Sequence, residues 1–133
     1  MLYDSLKEIE KIVEGDEYIA HGASFFISIV KKLKSIDVEE LRAALLDWEV
    51  DINNDSVNPS EIEDRATDFN KINDVWHFKD EIANKLMNII FEADGYYRPL
   101  DKDDYYSRGN VTDIFRVIKK DEEIILIEFY ACD

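Results

Sequence analysis

VTDIFRVIKK (Val111–Lys120) and EEIILIEFYA (Glu122–Ala131) are two runs rich in β-branched and aromatic residues, joined by a charged turn around Lys120 and Asp121. Such runs favour a pleated backbone, and their spacing predicts an antiparallel β-hairpin. The turn lacks the Asn-Gly or Asp-Gly that would fix its type. From Ile124 to Tyr130 the second run is apolar at every position except Glu128, so this strand is expected to be covered on both faces. A lone hairpin is marginal in water, so this one must rest on helices or find further strands.

Upstream the periodicity is helical. Leu6, Ile9 and Val13 predict a helix from Asp4 to Glu14, closed by Gly15. Phe26, Ile29, Val30 and Leu33 predict a second helix from Ala23 to Ser35, with Lys31, Lys32 and Lys34 in its last turn, where cations suit the dipole. Asp37 and Glu40 read as a capping box opening a third helix, Val38 to Glu49, with Val38, Leu41, Leu45 and Trp48 on one face. The polar loop DINNDSVNPS follows, although the alternation of WEVDI (48–52) would also suit a strand. Ser60 and Glu63 read as another capping box, before a short helix carrying Ile62, Ala66 and Phe69. The segment 74–95 predicts a fifth helix through Ile82, Leu86, Ile89, Ile90 and Ala93, ending at Gly95. YYRPLDKDDYYSRGN (96–110) reads as a long loop. The expectation is therefore one α+β domain spanning 1–133, with about five helices followed by a C-terminal hairpin or small sheet.

The composition narrows the function. The 133 residues include 31 acids and 16 bases, a net charge of -15, with 46% hydrophobic residues. That content supports a core, and the charge argues against nucleic-acid readers and against docking on anionic membranes. The amino terminus lacks the basic start and the roughly 7–15-residue apolar run of a signal peptide. Cys132 is the single cysteine, so no intramolecular disulfide can form, and a reducing cytoplasm is expected. Asp37 to Asp68 holds eleven acids and two bases, a net charge of -9, so most of the surplus sits in the middle of the chain. Crowded like charges oppose folding and steer a cationic partner. Tyrosines among carboxylates add rigid anchors that suit Arg and Lys. The expected contact residues are Asp47, Glu49, Asp51, Asp55, Glu61, Glu63, Asp64 and Asp68, with Tyr96, Tyr97, Asp103, Tyr105 and Tyr106 as a second patch.

Motifs for catalysis are missing from the sequence: it has no Gly-x-Ser-x-Gly, no phosphate-binding glycine loop, no dinucleotide fingerprint and no pair of Cys-x-x-Cys units. Asp74, His77 and Glu81 would share one helical face and could ligate a transition metal if the fifth helix began early enough. Asp51, Asn53 and Asp55 resemble the start of a calcium loop, but Ser56 and Ile62 stand where Gly and a bidentate Glu are needed. No cofactor is expected. An apolar C-terminal strand with an open edge would invite a homodimer.

In size, acidity and aromatic placement the chain resembles bacterial toxin-immunity proteins of the contact-dependent inhibition and colicin types. The resemblance lies in LLDWEVDINND (Leu45–Asp55), YYRPLDKDDYY (Tyr96–Tyr106) and IILIEFYACD (Ile124–Asp133). It implies a non-catalytic cytoplasmic inhibitor that binds a basic, nuclease-type toxin domain.

Overall fold

The computed structural model describes residues 1–15, 19–20, 23–45, 57–101 and 111–132. Their elements run α1 (Leu2–Gly15), β1 (Ile19–Ala20), β2 (Ala23–Leu33), α2 (Val38–Leu45), β3 (Val57–Glu61), α3 (Arg65–Trp76), α4 (Asp80–Glu92), β4 (Gly95–Leu100), β5 (Val111–Lys120) and β6 (Glu123–Cys132). The strands form one antiparallel sheet in the order β1-β2-β6-β5-β4-β3. The chain is α+β, but the expected five helices followed by a hairpin are corrected. Four helices stand among the described residues, and three strands precede α3.

The hairpin organises the rest. β5 and β6 pair from Val111↔Cys132 to Lys120↔Glu123, around a turn in which Asp121 takes a positive φ of 54°. Ile125, Ile127 and Phe129 face one side of the sheet with Ile114 and Ile118, while Leu126 faces the other with Phe115 and Val117. The first side is roofed by α1, α3 and α4 through Leu6, Ile9, Val13, Phe69, Ile72, Trp76, Ile82, Leu86 and Ile90. The second is covered by α2 through Leu41, Ala44 and Leu45. Both faces of β6 are thus dry, which explains its nearly unbroken apolar run. Burial of each large side chain contributes about 1.5–3 kcal/mol.

The expected helix at Ala23–Ser35 is instead β2, paired with β6 from Ser24↔Cys132 to Leu33↔Ile124. The helical spacing of Phe26, Ile29, Val30 and Leu33 misleads because the ladder shifts register between Ile29 and Lys31. An extra residue in a bulge breaks the strict alternation by which a strand is read. The aromatic and β-branched run FFISIV is better suited to a pleated surface, and β6 supplies it with a partner.

Two further strands replace expected loop. Val57–Glu61 pairs with β4, and Gly95–Leu100 pairs with both β3 and β5. The helix expected within 74–95 begins only at Asp80, because His77 adopts a left-handed backbone (φ 50°) that closes α3. The segment Trp48–Ile52, read as helix or strand, lies outside the described residues.

Distant residues satisfy the helix ends. The Glu123 carboxylate accepts the Leu2 and Tyr3 N–H groups at 2.9 and 3.0 Å, capping α1 from the start of β6. Arg65 donates to the Ile90 and Ala93 carbonyls at 2.7 and 2.8 Å, placing a cation at the carboxyl end of α4. Trp76 donates its indole N–H to the Tyr130 carbonyl at 2.7 Å and meets the Phe129 ring edge-on. No helix among the described residues is long and apolar enough to cross a membrane.

Candidate binding surface

Three exposed acids, Glu61, Glu63 and Asp64, lie where β3 hands over to α3. Glu61 ends β3 and pairs with Tyr97 of β4. The Ile62 N–H donates to the Tyr96 carbonyl at 2.8 Å, extending the tie to β4 by one residue. Two residues later Asp64 caps α3, accepting the Thr67 N–H at 3.1 Å and the Thr67 hydroxyl at 2.7 Å. These bonds hold the Asp64 carboxyl below its ordinary value. The predicted Ser60/Glu63 box is therefore displaced: Ser60 belongs to β3, and the cap falls to Asp64. Glu61, Glu63 and Asp64 are all exposed on this braced segment, which is fixed by the β3–β4 ladder on one side and the capped helix on the other.

Asp68, one turn further on, points inward. It is only 7% exposed, and Arg116 of β5, at 1%, grips it through Nε to Oδ2 at 3.0 Å and Nη2 to Oδ1 at 2.8 Å. Tyr96, completely buried, donates its hydroxyl to Oδ2 at 2.6 Å. Arg98 reaches to 3.7 Å of Oδ1, and Arg116 also donates to the Phe115 carbonyl at 2.8 Å. Burial, then the adjacent Asp68 charge, pushes the Tyr96 hydroxyl far above its usual range, so it stays protonated at any ordinary pH. Asp68 and Tyr96 are thus removed from the expected contact surface. The physical reason is a two-point guanidinium–carboxylate pair that tethers α3 to the sheet.

Tyr97 faces the opposite side of the sheet, half-buried against the cluster under α2. Asp47, Glu49, Asp51, Asp55, Asp103, Tyr105 and Tyr106 lie outside the described residues, as does the Asp51–Asp55 loop weighed for calcium. Other acids of the central stretch lie on α2: Asp37 and Glu39 open it just after β2, and the helix packs against both β2 and β3. The stretch that would link them to Glu61–Asp64, residues 46–56, lies outside the described residues.

The metal reading fails on geometry. Asp74 belongs to α3, His77 is its left-handed cap and Glu81 belongs to α4, so no single helical face carries all three. No group of three His, Cys, Asp or Glu side chains able to hold a metal occurs among the described residues. The C-terminal strand does not have the open edge expected of it: β6 is an interior strand, paired with β2 on one side and β5 on the other along nearly its whole length.

Arg116 is the residue that sequence reasoning missed, although a signal was present. It sits between Ile114 and Ile118 in the inward phase of a strand, where an arginine requires a buried anion. Asp68 answers it from the same helical stripe as Ile72 and Trp76. No protein-family model matches the chain, and neither does any curated protein or solved structure.

Proposed function

We propose that this is a non-catalytic, acidic binding protein that neutralises a basic partner, in its concrete form a cytoplasmic immunity protein that inhibits a cognate nuclease-type toxin domain. The observation that supports this reading is the exposed carboxylate segment Glu61–Asp64, held rigidly between a strand pairing and a helix cap in a chain of net charge -15. A fixed set of carboxylates meets a cationic surface without ordering a loop on contact, so less conformational entropy opposes association. A domain that acts on a polyanion tends to be basic, which makes it complementary to such a segment. Neither nucleic acid nor a membrane belongs to this reading.

The test begins with the polypeptide encoded next to this chain, co-expressed with it. The reading expects a stable complex and cells protected from that polypeptide's toxicity. Combining Glu61→Gln, Glu63→Gln and Asp64→Asn should slow association by about 10-fold at low salt and hardly at all at high salt. Asn still serves as a helix cap, so the fold should survive. Association equal to wild type at every salt concentration, or a toxin left uninhibited by its encoded neighbour, overturns the proposal.

A further inference from the structure

No further inference is drawn: the strongest candidate, the outer edge of β2 with its basic end at Lys32 and Lys34 beside Tyr3, pairs with β1 at only two positions among the described residues, and nothing in the structure shows what covers the remainder.

Discussion

Replacing Asp68 by Asn tests whether the buried pair holds α3 to the sheet. The side chain keeps its size but loses its charge, and its amide nitrogen is a donor where Arg116 and Tyr96 both present donors. Arg116, at 1% exposure, would retain its bond to the Phe115 carbonyl but lose its two-point bond to the carboxylate. Arg98, now 3.7 Å from Oδ1, would lose that ion pair as well. Breaking one partner out of a buried pair costs about 3–5 kcal/mol, a large share of the roughly 5–15 kcal/mol that holds an ordinary domain together. With a urea slope of about 2 kcal/mol/M, the unfolding midpoint should fall by roughly 2 M. The double replacement Asp68→Leu with Arg116→Met removes both charges together and should recover most of that loss, since apolar substitutes for a buried pair are often neutral or stabilising. Urea titrations followed by circular dichroism measure both variants. A loss below about 1 kcal/mol in the single variant, or a double variant as unstable as the single, would refute the argument that the pair is enclosed and mutually dependent.

Other consequences can be checked separately. The Tyr96 hydroxyl is raised in the folded protein, so its contribution is present below the ordinary tyrosine value near 10.0 and is lost as pH climbs above it. Ultraviolet titration should show one tyrosine ionising only on alkaline unfolding, and Tyr96→Phe should abolish that late step. Glu123→Gln weakens the carboxylate cap on α1 and should cost about 1 kcal/mol, read as a lower urea midpoint and faster amide exchange at the start of α1. His77→Gly relieves a left-handed backbone at an exposed helix end and should stabilise by about 0.5–1 kcal/mol; a destabilised variant would mean that the His77 side chain contributes more than its cap geometry.

Some of this molecule is written locally. The α1 and α4 stripes (Leu6, Ile9, Val13 and Ile82, Leu86, Ile90) are legible because helical periodicity depends only on neighbours three or four residues away. The β5–β6 hairpin is legible for a similar reason: its strands are adjacent in sequence and their composition admits little else. The acidity and the absence of catalytic signatures also come from the residues alone. What needed three dimensions was every feature whose partner lies far along the chain. FFISIVKKL fits a helix until β6 is placed beside it, and VNPSE and GYYRPL become strands only by pairing with each other and with β5. Asp68 looks like one more surface acid until Arg116, 48 residues away, draws it inward. Charge and period are properties of a segment. Burial belongs to the tertiary structure, because it depends on which distant group arrives to cover a side chain or share its hydrogen bonds.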